Sequence, residues 1–110
     1  LVSPGMAKQL IYTAKNIKAD EAYRIGLVNA VYPLDELLPA AEKMAETIAK
    51  NAPIAVRACK KAINEGLEAK MDDAVVIEEK LFGSCFKTAD QIEGMSAFLE
   101  KRKHEPYQNK

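Results

Sequence analysis

Apolar side chains recur at three- and four-residue steps along most of the chain, a spacing that predicts amphipathic helices. The most completely specified helix is predicted over residues 88–103. Thr88 and Gln91 have the spacing of a capping box at its start, and Asp90 places a negative charge near the positive end of the helix dipole. Pro106 prevents extension beyond its end. The apolar face of this helix consists of Ile92, Met95, Phe98 and Leu99.

The remaining apolar patterns predict helices over residues 4–15, 18–26, 35–50, 53–67 and 73–87. Ser3 is expected to cap the first helix and Asn16 to end it, while Gly26 is expected to end the second in a left-handed conformation. Pro39 is expected in the first turn of the third helix, where its missing N–H costs nothing. Asp72 is expected to cap the fifth helix.

Residues 27–32 form the one β-like run, rich in branched and aromatic side chains and stopped by Pro33. One short strand cannot form a sheet alone, so this run is either a connector or pairs with strands outside the chain. The predicted fold class is therefore mainly α, with five to six helices and no independent β-sheet.

Composition limits the size and the partners of this domain. A chain of 110 residues with 48% hydrophobic content suits one small domain that buries roughly 60–70% of its unfolded surface. Because it begins without Met, we expect a piece of a longer protein. Sixteen basic and sixteen acidic residues give a net charge of +0, which argues against nucleic acid and anionic membranes as partners. No apolar run approaches the roughly 20 residues that span a bilayer.

Few residues suggest chemistry. Cys59 and Cys85 are isolated among apolar residues and are expected to be reduced core residues of a cytoplasmic protein. No carboxylate or serine lies at a sequence spacing from His104 that would indicate a catalytic group, so His104 is expected at the surface. The sequence contains no nucleotide-binding, zinc-binding or catalytic-triad motif. We therefore expect no metal site.

Two adjacent acidic pairs could be proposed as general acid and base. These pairs are Asp20 with Glu21 and Glu78 with Glu79. Neighbouring residues on a helix point about 100° apart, so the members of each pair do not face each other. Compensation of the helix dipole explains the first pair better, and a solvated helix face explains the second.

The basic run from Lys101 to His104 has two interpretations. Cations at the end of a helix complement its exposed carbonyl groups, which requires no ligand. A lysine is also a compact charge suited to a phosphate, so the same run could form an anion site. Spacing alone leaves both open.

Five sequence motifs, however, resemble the end of an enoyl-CoA hydratase of the crotonase family. The motifs are AKQL with YTA at residues 7–14, IKADEA at 17–22, RIGLVN at 24–29, KLFG at 80–83 and EGMSAFLEKRK at 93–103. The resemblance spans all 110 residues and is greatest to the short-chain 3-hydroxybutyryl-CoA dehydratases of this family. One departure is Lys18, since the family often has a serine there as a helix cap.

The resemblance implies that residues 1–110 are the C-terminal helical, trimer-forming domain of a crotonase-fold protein. An N-terminal spiral of ββα units would precede it and supply an oxyanion hole and two catalytic glutamates. Glu78, Glu79 and Glu93 do not match those glutamates, so no catalytic residue is expected in this chain.

The resemblance also implies two binding residues. Phe82 matches a family residue that packs beside the adenine of coenzyme A, and Lys101 matches one that contacts its phosphate. Both come from a neighbouring subunit in the family, which forms trimers and dimers of trimers. The expected partners are thus an acyl-CoA substrate and further copies of the chain, without a separate cofactor because coenzyme A is part of the substrate.

Two functional classes follow. The first is a lyase, in which this domain serves an enzyme that hydrates short 2-enoyl-CoA thioesters reversibly, while the 110-residue chain alone is inactive. The second is a helical association module without catalysis. Another member of the family, such as an enoyl-CoA isomerase, is a further alternative.

Overall fold

The computed structural model describes residues 1–110 and contains six helices and no β-strand. The helices are α1 (Pro4–Thr13), α2 (Ala19–Arg24), α3 (Leu34–Ala49), α4 (Pro53–Glu68), α5 (Met71–Cys85) and α6 (Ala89–Leu99). The chain divides into two compact units, residues 1–43 and residues 44–110. The predicted all-helical class is confirmed.

The predicted start of α1 is confirmed, but its predicted end is wrong. The Ser3 hydroxyl accepts a hydrogen bond from the Met6 N–H at 3.3 Å. The helix ends at Thr13, before the predicted Asn16, because Ala14 adopts a left-handed conformation with φ 48°. A non-glycine residue in this region costs about 1–2 kcal/mol, and no glycine in the sequence marks the position.

Helix α2 ends as predicted. Gly26 has φ 76°, and the N–H of Leu27 donates to the Ala22 carbonyl at 2.8 Å, which completes a Schellman motif. The Lys18 side chain makes no capping hydrogen bond, as expected for the residue that replaces a serine. Residues 27–32 contain no strand, so in this chain the β-like run is a connector.

The predicted position of Pro39 in the first helical turn is wrong. Because α3 begins at Leu34, Pro39 is its sixth residue and lies inside the helix. The proline therefore removes an intrahelical hydrogen bond that the prediction assumed was not needed. The helix nevertheless continues to Ala49.

Helices α4 and α5 pack directly against each other. A β-carbon added at Gly66 would lie 3.6 Å from that of Ala74, which is an ordinary van der Waals contact and shows that the two helices are close at this point. Helix α5 starts at Met71, earlier than predicted, and its cap is Lys70. Asp72, the predicted cap, lies in the first turn instead.

The described residues bury very little. Ala22, Asp90 and Ala97 are the buried residues, and none of the large side chains is fully enclosed. Every helix leaves large apolar side chains exposed, for example Ile11 on α1. None of the six helices has both the length and the apolar composition needed to cross a membrane.

Candidate functional site

Lys101 lies at the turn that ends α6. The helix stops at Leu99, so the prediction that it continues to Lys103 is wrong. Lys101 has φ 54°, and its N–H donates to the Phe98 carbonyl at 3.3 Å, while the N–H of Arg102 donates to the Ala97 carbonyl at 3.0 Å. These bonds form a Schellman motif in which lysine occupies the left-handed position that glycine usually takes.

The side chains of the basic run differ in what they contact. The guanidinium of Arg102 bonds to the carboxylates of Glu93 and Glu100. The Lys101 side chain is exposed and makes no ion pair or hydrogen bond. The basic residues follow α6 directly and do not lie in its last turn. Lys101 is thus a cation without a protein partner.

Glu93 binds the segment that follows Lys101. Its Oε1 lies 2.5 Å and its Oε2 3.1 Å from Arg102 nitrogens, which is the bidentate geometry of a guanidinium with a carboxylate. Oε1 also accepts the N–H of Glu105 at 2.8 Å. The hydrogen bond from Arg102, and then that from the Glu105 N–H, lower the pKa of Glu93 from 4.5 to about 2. Glu93 is therefore a structural anion that ties the segment after Lys101 to α6.

This lowered pKa predicts how the segment responds to acid. A carboxyl whose pKa is lower in the folded state stabilises the fold fully above its unfolded pKa, and loses this effect as pH falls through the folded pKa. The Glu93 contribution should therefore disappear between pH 4.5 and about 2. Nuclear magnetic resonance titration of the Glu93 carboxyl and the Glu105 amide measures this transition. Replacing Glu93 by glutamine should abolish it at the Glu105 amide, whereas a midpoint near 4.5 would contradict the prediction.

Asp90 fastens the C-terminal tail to the start of α6. Asp90 is 3% exposed as a residue, and its carboxylate accepts the N–H of Gln108 at 2.6 Å and that of Asn109 at 2.9 Å. The N–H of Ala89 donates to the Lys110 carbonyl at 2.8 Å. The sequence indicated only a dipole interaction for Asp90, because bonds to residues 18 and 19 positions away leave no local pattern.

Further contacts hold the same tail. The Arg57 guanidinium donates to the Asn109 side chain at 2.6 Å. His104 stays partly exposed, in keeping with the predicted surface position, and its ring stacks on Tyr107 with ring centroids 4.3 Å apart. A β-carbon at Gly94 would lie 3.1 Å from the Tyr107 hydroxyl, which shows how closely the tail lies against α6. The tail has no regular secondary structure, as predicted, but it is held in place.

Phe82, the other predicted binding residue, lies on α5 and is 65% exposed. Its ring meets that of Phe86 edge to face, with centroids 5.1 Å apart. It also lines an apolar groove of about 510 Å³ between α4 and α5. No hydrogen bond or ring contact joins Phe82 to Lys101, so the chain does not bring these two residues together through a direct interaction.

The groove contains both cysteines. Cys59 is exposed and Cys85 is half-buried, and both are free thiols. The Cys85 thiol donates to the Leu81 carbonyl at 3.4 Å. The prediction of two core cysteines is therefore wrong for Cys59, because the face of α4 that carries it has no covering element in this chain.

The remaining acidic candidates do not form a catalytic pair. Glu21 bonds bidentately to Arg24, whose hydrogen bonds lower the pKa of Glu21. Glu78 and Glu79 are exposed, and only Glu78 lines the groove. No cluster of three or more His, Cys, Asp or Glu side chains could hold a metal ion.

Comparison with known proteins identifies relatives along the whole chain. The family model described as enoyl-CoA hydratase/isomerase matches residues 2–109. A short-chain-enoyl-CoA hydratase of Clostridium acetobutylicum is 54% identical over 110 residues, and a crotonyl-CoA hydratase of Syntrophomonas wolfei is 58% identical over 103 residues. The structure of an enoyl-CoA hydratase from Bacillus anthracis matches with a TM-score of 0.91 at 40% identity.

These matches cover most of this chain but less than half of each relative. The match to the Clostridium acetobutylicum protein includes 100% of this chain and 42% of that protein. The match to the Syntrophomonas wolfei protein includes 94% of this chain and 40% of that protein. The Bacillus anthracis structure covers 100% of the chain, which spans 42% of that structure.

Proposed function

The chain belongs to the enoyl-CoA hydratase/isomerase (crotonase) family, and we propose that it is the C-terminal helical part of a longer enzyme that hydrates short 2-enoyl-CoA thioesters reversibly. The observation that carries this proposal is 54% identity over the entire chain to a short-chain-enoyl-CoA hydratase. The enzyme would be a cytoplasmic lyase of fatty acid or butanoate metabolism, and coenzyme A would enter it only as part of the substrate.

In the proposed reaction, water adds across the 2,3 double bond of the thioester. The hydroxyl group joins C3, which moves negative charge onto the thioester oxygen, and a proton then joins C2 and removes that charge. Backbone N–H donors stabilise such an oxygen, and a pair of carboxyl groups moves the protons. We assign these groups to a ββα spiral domain upstream of residue 1, because Glu93 is bound to Arg102, Glu21 is bound to Arg24, and Glu78 and Glu79 do not match the catalytic glutamates of the family.

We assign to this chain the coenzyme A end of the substrate. Lys101 supports this role because its exposed side chain has no protein partner and can bind a phosphate. Phe82 supports it because a ring that is 65% exposed can pack against an adenine. In the assembled enzyme both residues would serve the active site of a neighbouring subunit.

The second role assigned to this chain is association. Exposed apolar side chains on all six helices, and the open groove between α4 and α5, favour a covered position in a larger assembly. We propose a trimer or a dimer of trimers, in which the upstream domain and further copies cover these faces. The same observation favours the alternative function of a purely associative module for the 110-residue chain by itself.

Hydration of crotonyl-CoA by two purified samples tests this proposal. The first sample is the full-length polypeptide that carries this chain, and the second is residues 1–110 alone. We expect hydration by the first and none by the second. Conversion of a 3-enoyl-CoA to the 2-enoyl-CoA without hydration would instead assign the isomerase alternative. Hydration by residues 1–110 would refute the assignment of catalysis to the upstream domain.

A further inference from the structure

The loop that carries Lys101 is held by the residues on either side of it. Glu100, which precedes Lys101, accepts a hydrogen bond from the Nε of Arg102 at 2.6 Å. Arg102, which follows it, is bound at its outer nitrogens by Glu93. Lys101 is thus the one residue of this three-residue segment whose side chain is uncommitted, and it lies between two residues that are fixed to each other and to α6.

The backbone of Lys101 needs such support. A lysine in the left-handed region is disfavoured by about 1–2 kcal/mol relative to right-handed conformations. Strained residues of this kind persist when their surroundings determine the conformation, and they are concentrated at ligand-binding positions. Here the two Schellman hydrogen bonds, together with the bond between the Arg102 guanidinium and Glu93, hold the Lys101 backbone in this conformation.

We propose that Glu93 and Arg102 are positioning residues, which hold the Lys101 turn so that its ammonium meets a phosphate group of a coenzyme A thioester. Holding the turn before the ligand arrives reduces the ordering cost that binding must otherwise overcome. Glu93 contributes from the middle of α6 and also binds the Glu105 N–H, so it fixes the loop on both sides of Arg102. This inference rests on the proposed function, because it takes Lys101 to be the phosphate contact.

The test compares two substrates in the full-length polypeptide. Crotonyl-CoA carries the phosphates, whereas crotonyl-pantetheine lacks them. We expect Glu93→Gln to raise KM for crotonyl-CoA about fivefold, with less than about a twofold change in kcat and in KM for crotonyl-pantetheine. In a chain that already carries Lys101→Ala, Glu93→Gln should have no further effect on KM, because it acts through Lys101.

Matched variants separate positioning from general damage. Glu21→Gln removes another bidentate contact with an arginine, the Glu21–Arg24 pair, and should leave both KM values unchanged. Arg102→Lys keeps the charge but loses the bidentate geometry, so it should reproduce the effect of Glu93→Gln. If circular dichroism shows that Glu93→Gln does not fold, the kinetic comparison is made with Arg102→Lys instead.

The outcomes distinguish this inference from the proposed function. A wild-type enzyme that hydrates neither thioester refutes the proposed function. An active wild type in which Glu93→Gln changes both KM values equally, or neither of them, refutes the positioning role alone. An additive effect of Glu93→Gln and Lys101→Ala also refutes it.

Discussion

Replacing Lys101 by alanine is expected to raise KM for crotonyl-CoA about 10- to 100-fold in the full-length polypeptide, with kcat nearly unchanged. A hydrogen bond to a charged group contributes about 1.5–3 kcal/mol, and 1.4 kcal/mol corresponds to a factor of ten in affinity. Because the phosphate is remote from the double bond, the loss affects substrate and transition state equally and appears in KM. Steady-state kinetics with crotonyl-CoA measures both constants.

Two further variants control this prediction. Lys103→Ala removes a neighbouring exposed cation and should change KM less than about twofold, because the proposed phosphate contact is Lys101 alone. Lys101→Gly relieves the left-handed backbone strain, so it should raise the melting temperature while it raises KM. Equal losses from Lys101→Ala and Lys103→Ala would show diffuse charge attraction instead of a specific contact.

The two ends of α6 show what the sequence could predict and what it could not. Thr88 caps the helix as expected, since its hydroxyl accepts the Gln91 N–H at 3.1 Å. The reciprocal half of the capping box is absent, because the Thr88 N–H donates to the Cys85 carbonyl. At the other end, the turn at Lys101 has the same Schellman motif as the turn at Gly26. It could not be predicted from the sequence, because a lysine occupies the position where a glycine would indicate the end of the helix.

The candidate site likewise contains residues that the sequence predicts and contacts that it does not. The family resemblance points to Lys101 and Phe82 as binding residues. Their residue types and spacing alone are equally consistent with a basic helix end and an apolar helix face that bind no ligand. The supporting contacts of Glu93 with Arg102 and of Asp90 with the tail join residues that are 9 to 19 positions apart. Helical periodicity covers three or four positions, so such contacts follow from the path of the tail and become visible only in the structure.

The apolar faces show why a correct helical pattern did not predict burial. The pattern identifies which side of a helix requires a partner, but not whether the chain itself provides one. The groove between α4 and α5 is the clearest case, since Ile63 lines it and is still 61% exposed. Asn64, the next residue, lies on the polar face of α4.

Ile63→Asp is therefore expected to disrupt the assembly of the full-length polypeptide, while Asn64→Asp leaves it intact. Both variants add one negative charge to adjacent positions of α4. If the groove is covered in the assembly, Ile63→Asp loses about 1.5–3 kcal/mol of apolar burial and also leaves a carboxylate unpaired. Association should weaken by at least about 100-fold, which sedimentation velocity over a range of protein concentrations detects.

Because Ile63 is exposed in this chain, a loss of association in Ile63→Asp would show that another part of the assembly covers the groove, and would not result from misfolding of the α4–α5 pair. A substitution at a position that stays solvent-exposed usually changes stability by less than about 0.5 kcal/mol. If the groove remains open in the full-length protein, Ile63→Asp and Asn64→Asp should sediment alike and like the wild type. That outcome would contradict the association role proposed for this face, and it would leave the role of Lys101 to be decided by the kinetics alone.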